Sequence, residues 1–592
     1  MKFNFAAALS LSLLSSFANA NVATVSLSPT NSKRAGINII SISPNEIILD
    51  LSIDSIQLKD VKFGGKSFVQ IESTALTKRF GRGTPNLPVF TKLIQVPAGM
   101  TARIETSDID SQEINLSDFG GSNQVVPTQE SVSKSARSST FFYNKAAYAE
   151  TSFGVEPMAT VEDLGLMRNV RLARVQISPF KFNPAKGTLT ISHHIRATIK
   201  FEANQFVNAL NSNYDANNFN QLLHGVIGAE KPLFIRSESP TYVIVSPRKF
   251  ENTLQRFVAW KRQSGYQVIQ AYTDTLEVGS TNTSIKAYLK NLFFNPPAGF
   301  SPQQFILFVG DVAEIPTFNG VSDDHATDFL YGEYTDDGLP DAFYGRFSAS
   351  TSNDLNAIID KTLAYEMRTL ADLSFLARAT MVAGDDSGHQ DWSNGQINYG
   401  VNNYFNSTNG IINKAYLQPE PSNSPHEPKI KSDISDGVGF ANYTAHCSPN
   451  GWAGPSFSRS DLSGLTNTDR YGVWIGNCCQ SSSYDGDSFA EDALRLAKKG
   501  AVGYIGASDY SYWDEDYWWA VGFKPIVAEP TFDGANVGVY DQLFTKTNPI
   551  SKMSQIVFAG NLAVEASTST RKAYYWEVYN VMGDPSLDVQ FR

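Results

Sequence analysis

Two patterns of hydrophobic and polar positions divide the chain near residue 236. Before it, runs at 46–53, 90–96, 188–194 and 195–201 alternate apolar with polar residues, the spacing of half-buried strands. Gly64-Gly65 and Gly120-Gly121 punctuate them and no long helical period intervenes, which predicts a β-rich, sandwich-like domain. A polar, Asn-rich stretch at 204–218 reads as a linker. From Thr241 the pattern changes. A strand is predicted at 242–245, followed by helical spacing over 250–265 with Leu254, Phe257, Val258 and Trp260 on one face. A strand at 267–272, a helix at 285–293 and a wholly apolar strand at 305–309 follow. Further apolar runs lie at 380–383, 440–444, 472–475 and 502–505, with helical spacing at 354–369 and 488–499. Strands without alternation, separated by helices, predict an α/β domain with a parallel sheet covered on both faces. Chemistry in such sheets belongs just beyond the carboxyl ends of the strands.

Composition narrows the function. The 592 residues carry a net charge of −11, which repels phosphate backbones and argues against nucleic-acid partners. The three cysteines, Cys447, Cys478 and Cys479, are too few for a disulfide scaffold or a Cys-rich zinc domain, and no HExxH occurs. Residues 1–20 open with Met1-Lys2, continue apolar from Phe5 to Phe17 and end in Ala18-Asn19-Ala20, the pattern of a secretory signal peptide. No later apolar run reaches the ~20 residues of a membrane span. A secreted or periplasmic location is therefore expected.

Three strand ends carry candidate chemistry. Asn442-Tyr443-Thr444-Ala445-His446-Cys447 places a histidine after one apolar run, and Ile475-Gly476-Asn477-Cys478-Cys479 places two thiols after the next. Neighbouring strands would bring imidazole and thiol together, as a cysteine nucleophile needs. Met381-Val382-Ala383-Gly384-Asp385-Asp386 adds a carboxylate able to orient the imidazole. The residues alone leave open a strand-capping histidine, buried structural thiols and an ordinary acidic loop.

Residues 236–592 resemble the gingipain family of cysteine peptidases, whose catalytic fold is similar to that of caspases. The likeness rests on stretches in family order: Tyr242 to Ser246, Phe257 to Lys261, Val309-Gly310-Asp311, Asp328 to Gly332 and Gly345-Arg346-Phe347-Ser348. The histidine strand, the 475–479 segment with Gly486-Asp487-Ser488-Phe489, and Gly583-Asp584-Pro585-Ser586-Leu587 complete it. Residues 21–235 resemble the family's propeptide through Gly83-Thr84-Pro85-Asn86-Leu87-Pro88 and Phe182-Asn183-Pro184. The resemblance implies an exported zymogen: signal peptide, β-rich propeptide acting as intramolecular inhibitor, then an endopeptidase for protein or peptide substrates. Its cut is expected within 231–236. With the sequence ending at Arg592, the immunoglobulin-like and sorting domains of some relatives are not expected.

By the same resemblance Cys479 is the nucleophile, His446 the general base and acid, and Asp385 the acid paired with it, with Asp386 adjacent. Cys447 stands where the family has glycine and would offer its backbone N–H to the oxyanion. Neutral Gln396 falls where relatives read a basic P1 side chain, and Trp513 matches a pocket wall, so an uncharged P1 residue is expected. Asp509, Asp514 or Asp516 could restore a basic preference. A Cys447–Cys478 disulfide would leave Cys479 free, whereas a vicinal 478–479 bond would abolish activity. Asp336, Asp337 and Asp341 around a Gly/Pro turn suggest structural Ca²⁺, with no metal needed for the chemistry. An inactive secreted binding protein and a peptidase-like acyltransferase are the competing readings.

Overall fold

The computed structural model describes residues 22–27, 35–74, 76–153, 157–204, 217–229 and 239–591. The signal-peptide residues and the 231–236 stretch lie outside them. The N-terminal region is built from three antiparallel sheets. Strands such as Glu46–Ser52 and Val170–Ile177 bury Ile47, Leu49, Leu51, Ala173, Val175 and Ile177 in its interior, while Leu172 on the other face of the second packs into the core of the C-terminal region. The two runs expected at 188–194 and 195–201 are one strand, Thr188–Ala203, paired along Met100–Asn115. Its register slips between Ser192 and Ile195, so the apparent change of phase in the sequence marks a bulge rather than a turn.

The C-terminal region is organised around a ten-stranded sheet in the order 267–272, 241–246, 303–309, 343–347, 579–582, 503–507, 473–477, 440–444, 378–383, 412–416. Helices cover it, including Glu251–Gln263, Ser352–Glu366, Gln390–Asn403 and Met553–Glu565. It departs from a uniformly parallel sheet at one place. Gly503–Ala507 and Tyr579–Met582 pair antiparallel, whereas every other neighbouring pair is parallel. The sheet is thus two parallel halves running in opposite senses, and the strand ends of the 378–507 half all open on one edge. They end level: Ala383 is opposite Thr444, and Thr444 opposite Asn477. Gly384 follows because a Cβ there would meet the Tyr443 hydroxyl at 2.4 Å. No helix among the described residues is long and apolar enough to cross a membrane.

The β-rich region is locked to the sheet by polar groups that reach across. Arg168, fully buried, donates from Nη1 to the carbonyls of Gln303 and Asp341 at 2.9 Å each and from Nη2 to that of Pro302 at 3.0 Å. Its guanidinium also lies over Phe219 and Phe293. Arg174 Nη1 donates to Glu565 Oε1 at 3.0 Å, and Thr91 Oγ1 to the Ala566 carbonyl at 2.6 Å. Removing a buried donor leaves its acceptors dry and unpaired. Arg168→Ala is therefore expected to lower the unfolding free energy of the full chain by about 2–3 kcal/mol in urea titrations. A change of less than about 0.5 kcal/mol, the range of ordinary surface substitutions, would show that Arg168 does not carry this interface.

Candidate active site

His446 and Cys479 each stand two residues beyond a level pair, Thr444 and Asn477, on adjacent parallel strands. That register is what delivers imidazole and thiol to one edge. The residues between them make the bond expected from the sequence: Cys447 and Cys478 form a disulfide with Cα atoms 5.3 Å apart, and Cys479 is the free thiol. The two strand extensions are thus tied covalently beside the reacting groups.

The carboxylate facing His446 is Asp386, not Asp385. Asp386 Oδ2 lies 2.9 Å from His446 Nε2, and Oδ1 lies 3.1 Å from His389 Nδ1 and accepts from the Gly388 amide at 2.8 Å. Asp385 is exposed, with its backbone N–H held by the Gly454 carbonyl at 2.5 Å. Adjacent residues leaving a strand point to opposite sides, so only one of the two can face the histidine. Burial opposes ionisation of Asp386, but hydrogen bonds from His389, His446 and the Gly388 amide outweigh it and hold the carboxyl well below the usual carboxylate range. An ionised carboxylate only accepts, which assigns the N–H of His446 to Nε2 and leaves Nδ1 able to take a proton.

Cys479 is buried. Its Sγ accepts from the Ser511 amide at 3.4 Å and lies 3.9 Å from the Ser511 carbonyl. Burial pushes the thiol up to about 11; the Ser511 amide and the ammonium of Lys134 pull the other way. Lys134 belongs to the β-rich region. Its segment pairs antiparallel with the 511–513 segment: the Lys134 amide donates to the Ser511 carbonyl at 2.9 Å and the Trp513 amide to the Val132 carbonyl at 3.1 Å. The Lys134 side chain enters a closed pocket. Its Nζ meets Asp516 Oδ2 at 2.7 Å, the Asn477 carbonyl at 2.7 Å and Thr444 Oγ1 at 3.2 Å, and sits 4.9 Å from the Trp513 ring centroid.

The group at the floor is Asp516, one of the alternatives held for the pocket, and not Gln396. Gln396 lies behind it, donating to Asn477 Oδ1 at 2.8 Å and to the Tyr540 hydroxyl at 3.3 Å. Trp513 lies against the Lys134 ammonium in the same pocket. Sequence reading missed Lys134, Ser511 and His389. Lys134 sits in a polar stretch with no motif, and its pocket is assembled from residues more than 300 positions away.

The acidic turn does not gather into a metal site. Asp336 pairs with Lys290 at 3.1 Å, and Asp337 accepts from the amides of Leu339 at 3.1 Å and Leu166 at 2.7 Å. Asp341 turns inward to the Tyr334 amide at 2.7 Å, where burial pushes its carboxyl well up toward the neutral acid. The Gly338-Leu339-Pro340 turn separates Asp336 and Asp337 from Asp341. Among the described residues, no cluster of three or more His, Cys, Asp or Glu fits a metal ion, so the expected Ca²⁺ ligands Asp336, Asp337 and Asp341 are not one.

Comparison with known proteins matches residues 235–590 to the model of peptidase family C25. The chain belongs to that family. The family's propeptide model matches residues 39–252, so a C25 propeptide precedes the C25 peptidase region in one chain. Lys-gingipain of Porphyromonas gingivalis is 34% identical over 559 residues, covering 90% of this chain and 32% of that protein. The chain thus spans about a third of that relative's length. Gingipain R2 of the same species is 24% identical over 442 residues, covering 71% of this chain and 57% of its own length. A solved structure described as a protease superposes with a TM-score of 0.56 at 36% identity, over 60% of this chain and 79% of that one. The C25 assignment and the caspase-like α/β fold agree with the reading of the strand ends.

Two measurements check the site. Alkylation of the denatured but unreduced protein should label Cys479 alone; labelling of Cys447 or Cys478 would remove the disulfide. Asp386→Asn should lower kcat at least about a hundredfold, as loss of an imidazole-orienting carboxylate does, while Asp385→Asn stays within about threefold. The reverse order would return the role to Asp385.

Proposed function

We propose that this chain is an exported cysteine endopeptidase, made as a zymogen, that cleaves after lysine. The observation that carries the reading is the seating of propeptide Lys134 in the Asp516 pocket beside Cys479. A peptide running antiparallel along 511–513 with one side chain in a closed pocket has the geometry of a substrate. The same contact supports the propeptide as an intramolecular inhibitor. It covers the thiol, and a buried thiol pushed up to about 11 is not the attacking thiolate.

The pocket's acceptors explain the choice of lysine. An ammonium has three donors, and it meets three acceptors: a carboxylate, a carbonyl and a hydroxyl. The remaining capacity of Asp516 is occupied. Tyr575 and Tyr579 hydroxyls donate to Oδ1 at 2.9 and 2.6 Å, and Ser511 Oγ to Oδ2 at 2.7 Å. No open carboxylate face remains for a bidentate guanidinium, which disfavours arginine. This reverses the uncharged P1 preference expected from Gln396. The name of the relative Lys-gingipain fits it.

With the propeptide removed, His446 Nδ1 takes the Cys479 proton and the thiolate attacks the scissile carbonyl carbon. In this reading the backbone N–H groups of Cys479 and Cys447 would receive the developing oxyanion. His446 returns the proton to the leaving amine, and water, deprotonated by the same imidazole, hydrolyses the thioester. No step needs a metal.

Peptides differing only at P1 test the reading. Lysine should exceed arginine and norleucine in kcat/KM by at least about tenfold, and Asp516→Asn should remove most of that margin. Preference for norleucine in the native chain would reject the pocket assignment. In the uncleaved chain, Lys134→Ala should raise residual activity and speed alkylation of Cys479 by at least about tenfold, since it removes the buried charge pair; unchanged latency would reject the inhibitory role.

A further inference from the structure

His389 has no role in the chemistry above, yet it touches two parts of it. Its Nδ1 shares Asp386 with His446, and its ring lies flat on Trp513, with centroids 4.4 Å apart and planes 2° apart. The other imidazole against that indole is His446 itself, edge-on at 5.4 Å. Trp513 is also the wall against which the Lys134 ammonium lies. His389 is held in turn. Its amide donates to the Asp386 carbonyl at 3.0 Å, it opens the Gln390–Asn403 helix, and Trp392 packs edge-on against it while donating to Asp514 Oδ1 at 2.6 Å.

We propose that His389 is a positioning residue that fixes the catalytic acid and the P1 wall together, through its hydrogen bond to Asp386 and its stack on Trp513. The two contacts are made by different parts of one ring, and they serve different steps. The hydrogen bond restrains the carboxylate that orients His446, and so acts in the chemical step. The stack restrains the indole that lines the P1 pocket, and so acts in substrate binding. A lysine side chain pressing on Trp513 is thereby felt one ring away from Asp386.

The inference rests on the proposed lysine-specific peptidase and can fail separately from it. The full chain, activated by limited proteolysis between propeptide and peptidase, is assayed on a P1-lysine peptide. His389→Phe keeps a flat ring for Trp513 and loses the donor; His389→Asn keeps a short N–H donor and loses the ring. His389→Phe should lower kcat at least about tenfold with KM within about twofold. His389→Asn should keep kcat within about threefold and raise KM about 2–10-fold. In an Asp386→Asn background, His389→Phe should cost little more, because both act through one contact. Native-like kcat and KM in both variants, equal loss of kcat in both, or additive losses in the double variant would each overturn the role. If the native chain does not cleave the lysine peptide, or Cys479→Ala does, the peptidase reading itself fails whatever the His389 variants show. Thermal unfolding of each variant separates positioning from loss of fold: a kcat loss that follows a lowered melting temperature counts against the inference.

Discussion

The molecule is organised around a carboxylate that has no access to water. Asp516 is fully buried, and a buried charge is tolerated only when paired and hydrogen-bonded. In this chain its countercharge is Lys134, brought from the propeptide, with three hydroxyls taking its remaining acceptor sites. The lysine reaches the pocket along the edge of 511–513, the segment whose Ser511 amide also meets the buried Cys479 thiol. In the proposed reading, this one ion pair links the docking of the propeptide, the latency of the nucleophile and the side chain that a substrate must present. In the proposed reading, a substrate lysine takes the place of Lys134 as the countercharge of Asp516.

The reacting groups are held by a different constraint. His446 and Cys479 sit beyond the last paired residues of the large sheet, and His446 there opens a short strand, His446–Ser448, paired antiparallel with Gly451–Ala453. The Cys447–Cys478 disulfide adds a covalent tie, joining the residue after His446 to the residue before Cys479. On the other side Asp386 is pinned by two imidazoles and an amide, so the acid, the base and the pocket wall form one packed unit.

The reversal of the sheet at 503–507 and 579–582 shapes how that unit is exposed. Because the two parallel halves run oppositely, only the strand ends of the 378–507 half open on the active edge. The other half, with its buried pairs Arg346–Asp328 and Lys261–Asp584, supports the sheet and receives the propeptide through the carbonyls that Arg168 contacts.

Apolar runs without alternation were enough to locate most strands of the catalytic sheet, because a strand buried on both faces must be apolar throughout. His446 and Cys479 were legible for the same reason: each directly follows such a run, and strand order then brings them together. The pairing of Cys447 with Cys478 was legible as a possibility once Cys479 was needed free. What the sequence left undecided depends on side-chain direction and on partners distant in the chain. Asp385 and Asp386 are equivalent as text; the turn after Gly384 decides which one faces the imidazole. Asp336, Asp337 and Asp341 are close in sequence, yet a single turn sends them to three unrelated partners. Asp516 and Lys134 lie 382 positions apart in the numbering, in stretches with no mutual signal. Only the packing of the propeptide across the sheet edge places one against the other, since a buried charge selects its partner by geometry and not by distance along the chain.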